Sequence, residues 1–241
     1  GFISNPNYGP MTSFFATTAY NLFLTGNISS AIVNLSAVPL LSGPLLVGVY
    51  GFRKSNAALL RAMRIAKPSI KDWNSDTQTF EPAWIKDPKY ASLVEGLDAM
   101  GQREHTMQRE ILEGSRQRAQ DYDALGAKAM NLASLPFTEA EKYSRATTAI
   151  AAYELAKAEG KSDAKAVEEA VKLTMDVHTS GMAAEGPSLM QGNFGRVMFT
   201  FKSFIWNSAV ITAMATNNAL RGETAEIRSI ARKQVLGIYG M

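Results

Sequence analysis

The chain has 241 residues, no Cys and a net charge of +3. That length can bury a sizeable core, as one or two domains. The missing Cys excludes a disulfide scaffold, a Cys-ligated zinc site and a Cys nucleophile, and the small net charge gives no global case for nucleic-acid binding.

The charge is unevenly spread. From Gly1 to Phe52 there is no Asp, Glu, Lys or Arg, where an average soluble domain carries about one charged residue in four. A stretch of this kind has to be covered by the rest of the protein, by a partner or by lipid. Gly1-Phe2-Ile3 lacks the basic start of a signal peptide, and the chain reads as part of a longer polypeptide.

Residues 1–9 read as an extended lead-in punctuated by Pro6 and Gly9. Met11 to Leu24 is a first predicted helix, broken at Gly26-Asn27. Ile28 to Val38 is a second, apolar one that ends near Pro39. Pro39 can open a third, Leu40 to Tyr50, from its first position, and Gly51 can stop it. Ile28, Ile32, Val33, Leu35, Leu40 and Leu45 are the candidate packing or membrane residues of this run. Its length suits a membrane span of about 20 residues, but Asn34, Ser36, Ser42 and two prolines weaken that reading. A helical hairpin buried against protein stands beside it.

Charge then arrives abruptly. Arg53, Lys54, Arg61, Arg64 and Lys67 share one predicted helix with no acid. Lys54, Arg61, Arg64 and Lys67 are the candidate membrane- or phosphate-facing residues. A basic helix directly after an apolar segment suits an anionic membrane surface, a phosphate backbone or an acidic partner; an ordinary solvated helix is the plainer reading. Pro68 ends it. An irregular arm of residues 68–90 follows, carrying Trp73, Phe80 and Trp84. It divides the chain into 1–67, the arm, and a helical region 91–241.

Asp87 with Pro88 can start a helix that reaches Met100. Gln102 to Ala119 is polar nearly all round. Asp121 to Leu135 is a moderate helix. Thr138 and Glu141 then form a capping box, with Phe137 before it. The helix it opens runs to Gly160 and buries Tyr143, Ala146, Ile150, Tyr153 and Ala156. Ser162 caps a second helix with a stripe of Ala166, Val167, Ala170, Val171 and Met175, so 138–179 reads as a helical hairpin. Residues 180–193 are a loop.

The segment Phe194 to Leu220 reads as one long apolar helix, with Phe201, Phe204 and Ile205 as candidate packing or membrane residues. A last amphipathic helix, Glu223 to Leu236, places Arg228, Arg232 and Lys233 near its C-terminus. No long stretch alternates with period two, so the predicted fold class is all-α.

Sites for chemistry are thin. His105 and His178 lack partners at ligand spacing. The nucleotide, hydrolase and zinc-protease motifs are missing. Gly192, Gly195 and Arg196 could form an anion-binding turn at a helix start. Glu139 with Glu141, or Glu168 with Glu169, could be acid/base pairs, but they sit in well-patterned helices. No cofactor or metal is expected, and the segment reads as non-enzymatic.

Three blocks carry a family resemblance. Asn27 through Pro39 is similar to an apolar N-(I/L/V)-S-S-A-(I/L)-V-N-L-S-x-x-P run. Phe137 to Gly160 is similar to F-x-x-x-E-x-x-x-R-x-T-A-x-A-A-Y-x-L-A-x-x-x-G, through Glu141, Arg145, Ala151, Ala152, Tyr153 and Ala156. Gly192 through Lys202 is similar to G-x-x-G-R-x-x-x-x-F-K. In these blocks the chain resembles the C-terminal helical region of large internal virion (ejection) proteins of short-tailed phages and the related large polyvalent phage proteins. The loop His178 to Pro187 departs from the family's Tyr and Asn-Arg-Pro-like step, which removes the basis for a shared role there. The resemblance implies a structural component of a DNA-ejection assembly, stored in the capsid and delivered to the host envelope. It implies a homo-oligomer, contact with other ejection or portal proteins, and contact with host membrane and phage DNA. The alternative is a docking module that holds a giant virion protein, such as a virion RNA polymerase, to the capsid or portal.

Overall fold

The computed structural model describes residues 28–75, 79–100, 124–178 and 203–239. The elements are α1 (Ile28–Ala37), a π turn (Val38–Ser42), α2 (Gly43–Tyr50), α3 (Phe52–Ala66), β1 (Trp73–Asn74), β2 (Thr79–Phe80), α4 (Ala91–Ala99), α5 (Ala124–Ala158), α6 (Asp163–His178), α7 (Ser203–Arg221) and α8 (Ala225–Tyr239). Apart from one two-residue strand pair, Trp73 opposite Phe80, this is an all-α fold.

Pro39 does not divide the apolar run into two helices as its sequence suggests. The backbone stays helical through Ala37 and Ser42, with Pro39 inside the π turn and Pro44 in the first turn of α2. Pro39 and Pro44 each lie in the first turn of the segment they open, where a missing N–H costs least. The chain reverses one residue after Tyr50, at Gly51, whose φ of +83° favours a residue without Cβ.

α5 is the axis of the fold. It packs against α1, α3 and α6. Ala149, Ile150, Ala151, Ala152, Tyr153, Leu155 and Ala156 are all buried in it. The expected start of this helix at Thr138 is not found. α5 runs unbroken from Ala124 through Pro136. Pro136 is exposed, so water can satisfy the carbonyl that loses its donor. Thr138 is buried inside the helix rather than capping it, and Glu141 reaches forward to Arg145 at 2.6 Å. The far end matches its sequence. Lys161 N–H donates to Ala156 O and Gly160 N–H to Lys157 O, with Gly160 at φ +80°, a Schellman stop. Ser162 then caps α6 through its Oγ, which accepts from Lys165 N–H.

The arm of residues 68–90 consists of short 3₁₀ turns and the strand pair. Asp87 Oδ1 accepts from Lys89 N–H at 2.9 Å and starts the turn that leads into α4. Trp84 and Tyr90 are buried and meet edge to face, and Tyr90 meets Tyr153 of α5 the same way. The arm therefore packs on its own chain's core. Residues from 1–67, 68–90 and 91–241 all enter that core, which holds Leu46, Leu59, Tyr90, Leu93, Ile150 and Val171.

α7 and α8 form an antiparallel pair that leans on α2 through α8. Arg228 Nη1 donates to Gly222 O at 2.6 Å, closing the turn between them. α8 runs on to Tyr239, so Arg232 and Lys233 lie in its middle rather than near its C-terminus. The long apolar helix is described only from Ser203. Val210, Met214 and Leu220 are exposed on it, so the described part is not fully covered by its own chain.

Candidate anion-facing surface

α3 follows directly from its composition. Four alanines and three leucine or isoleucine side chains favour helix. Gly51 opens it and Lys67, extended before Pro68, ends it. Ser55, Ala58, Leu59, Ala62 and Ala66 form its buried face. Four of these five side chains are small, which lets α3 lie close against the alanine-rich middle of α5.

The opposite face is exposed. Arg53, Ala57, Leu60, Arg64 and Lys67 recur at i, i+4, i+7, i+11 and i+14, a single line down the helix, and all five are exposed. Lys54 and Arg61 flank that line and are exposed too. Arg61 is engaged: its Nε donates to Glu154 Oε2 at 3.3 Å. Arg53, Lys54, Arg64 and Lys67 make no ion pair among the described residues. Arg53 and Lys54 also sit in the first turn, where the helix dipole is already positive and no acid offsets it. Folding gains nothing from this placement; an external anion would. Two large apolar side chains share the exposed side, Phe52 at 68% exposure and Leu60 at 59%.

The sequence-predicted apolar residues divide. Ile32, Leu35 and Leu40 are exposed. With Pro39 they form an uncharged outward line on α1 and the π turn. Leu45 turns inward against Ala37, Leu41 and Val177. Ile28, Val33, Phe204 and Ile205 lie in described helices, although their side chains are not described. Phe201 and the turn residues Gly192, Gly195 and Arg196 lie outside the described residues, as does His105. Among the described residues, no single helix is long and apolar enough to cross a membrane.

Three of the four acids considered from sequence are held in ion pairs. Glu139 meets Lys142 at 3.3 Å, Glu141 meets Arg145 at 2.6 Å, and Glu169 meets Lys161 at 2.9 Å. Tyr50 O–H also donates to Glu169 at 2.9 Å, and burial together with that carboxylate pushes the phenol up to about 12. Among the described residues no cluster of His, Asp and Glu is arranged to hold a metal.

Sequence reading missed two polar centres. Glu154 accepts from Lys89 Nζ at 2.6 Å, from Tyr90 O–H at 2.8 Å and from Arg61. Ser42, Thr148 and His178 form a buried chain, described below. One signal was available: Ser144, Thr147 and Thr148 stand among the alanines of a face that α5 buries.

Neither a family model, nor a curated protein, nor a solved structure matches this chain. The outer face of α3 is therefore read from its own geometry: an acid-free row of cations with apolar side chains among them.

Proposed function

We propose that this chain is a structural, non-enzymatic helical segment of a phage DNA-ejection assembly. In this reading it is stored inside the virion as a homo-oligomer with other ejection or portal proteins, and on infection it reaches the host envelope. There the outer face of α3 meets phosphate groups, of lipid headgroups or of the passing DNA. The observation that carries the reading is the exposed row of Arg53, Lys54, Arg64 and Lys67 without an acidic partner among the described residues. The uncharged first 52 residues and the outward line Ile32, Leu35 and Leu40 support contact with a non-aqueous surface.

Vesicle flotation tests it. The chain is mixed with neutral vesicles, with vesicles holding an anionic lipid, and with duplex DNA, over a range of salt. Flotation that needs anionic lipid and falls with salt supports the envelope role. A stable oligomer that ignores vesicles and DNA sinks it. That second outcome would favour a docking module that holds a giant virion protein to the portal or inner core. The exposed Val210, Met214 and Leu220 on α7 give that reading its own support, since such side chains suit a protein interface.

A further inference from the structure

The π turn is held by one buried hydroxyl. Thr148 Oγ1 on α5 lies 2.7 Å from Ser42 Oγ on the π turn, 3.2 Å from His178 Nε2 at the end of α6 and 3.0 Å from Ser144 O. Ser42 and Thr148 are completely buried. A hydroxyl has one proton and two lone pairs. These contacts use all three when Thr148 donates to the Ser144 carbonyl and accepts from Ser42 O–H and His178 Nε2–H. Thr148 thus joins three separate elements of the fold.

The segment it pins lies along α5, and several of its described buried side chains are small. Among the described side chains of α1 and the π turn, the buried ones are Ala31, Ala37, Val38, Leu41 and Ser42. Ala37 and Leu41 belong with Val177 to a small cluster, separate from the core of Leu59, Trp84, Tyr90, Leu93, Ile150 and Tyr153. The outward line of Ile32, Leu35, Pro39 and Leu40 is exposed. A π turn is a single-turn irregularity in a helical ladder, and this one holds Pro39, with Pro44 two residues beyond it. Val38, at the start of the π turn, and Leu46 of α2 both reach into the main core. An irregular backbone ladder and few large buried side chains among those described favour local opening of this segment.

We propose that the π turn is a hinge for α1 and that the Ser42–Thr148–His178 chain is its latch. With the latch closed, α1 stays on α5. With it open, α1 swings away as an uncharged helix while the α3–α5–α6 core stays folded. This rests on the latch and the packing around it and stands whether or not the ejection role holds.

Hydrogen exchange on the whole 241-residue chain tests it, by comparing Thr148→Val, which keeps the shape and loses the hydroxyl, with Thr148→Ser, which keeps the hydroxyl. In Thr148→Val the amides of residues 31–42 should exchange at least about tenfold faster, because Ser42 is left buried without its partner. Those of residues 58–66 in α3 should be unchanged, and Thr148→Ser should restore slow exchange in 31–42. Equal acceleration in both segments would overturn the proposal, because Thr148 would then support the whole core. No acceleration in 31–42 would also overturn it. Should Thr148→Val fail to fold, Ser42→Ala removes one end of the chain at little cost in volume. It should speed exchange in 31–42 roughly fivefold, and an unchanged rate there would defeat the latch.

Discussion

Gly96 of α4 stands so near Val167 of α6 that a Cβ on Gly96 would overlap Val167 Cγ1. The missing side chain is what lets the short α4 settle onto α6. Val is stiff at χ1 and cannot easily turn aside. Gly96→Ala should therefore destabilise the protein by about 1–2 kcal/mol, despite a gain of about 1 kcal/mol in helix propensity. The urea midpoint checks it, and a midpoint at or above that of the parent chain would refute the close approach.

Glu154 gathers Lys89, Tyr90 and Arg61 onto α5, tying the arm and α3 to the axis of the fold. Lys89 and Arg61 are themselves 58% and 56% exposed, so solvent screens much of the attraction. Glu154→Gln should cost about 1–2 kcal/mol at neutral pH. Burial alone would raise this carboxyl, but the bonds from Lys89 and Tyr90 outweigh it and hold the group below its ordinary 4.5. A depressed acid gives stability that is present above its unfolded value and lost as pH falls through the folded one. Denaturation of both proteins along a pH series should show the gap closing well below 4.5. A gap that persists there would mean packing, not charge, is lost.

His178 works in the opposite chemical sense and has the same consequence in acid. Burial drives its imidazole down to about 3, with the nearby Arg145 guanidinium adding to the effect and Glu141 opposing it. The unfolded chain takes up a proton near 6.5 that the folded chain refuses, so stability falls as pH drops between 6.5 and about 3. His178→Gln should remove the part of this acid sensitivity that lies above pH 4.5, before the carboxylates titrate. Melting temperatures of both chains at pH 7 and pH 5 report it; an identical fall in the two would show that His178 is not the responsive group.

On the outer face of α3, replacing Arg53, Lys54, Arg64 and Lys67 with Gln should lower affinity for anionic vesicles more than a hundredfold, at about 1 kcal/mol per cation. Unfolding should hardly change, because all four are exposed and unpaired among the described residues. Leu60→Gln separates two anionic surfaces. It should weaken binding to vesicles and leave binding to duplex DNA unchanged, because an inserted side chain gains only from lipid. Flotation and filter binding read the two arms. Equal loss in both would show that Leu60 merely supports the helix.

Much of this was legible in the residues themselves. The all-α class, the Schellman stop at Gly160, the Ser162 cap and the reversal at Gly51 depend on neighbours a few positions apart, and local spacing encodes them. The line Arg53, Ala57, Leu60, Arg64 and Lys67 is equally local, because helical pitch alone aligns those positions. The tertiary structure decided which side of that helix looks outward, by laying its Ser and Ala face on α5. It also overrode two local signals. Pro136 did not end a helix, because its side lies open to water. Thr138 did not become a cap, because the surrounding helices bury it. The Ser42–Thr148–His178 chain and the convergence of Arg61, Lys89 and Tyr90 on Glu154 join positions far apart in sequence. Such contacts leave no periodic trace. They exist only once α1, α3, the arm and α6 have closed around α5.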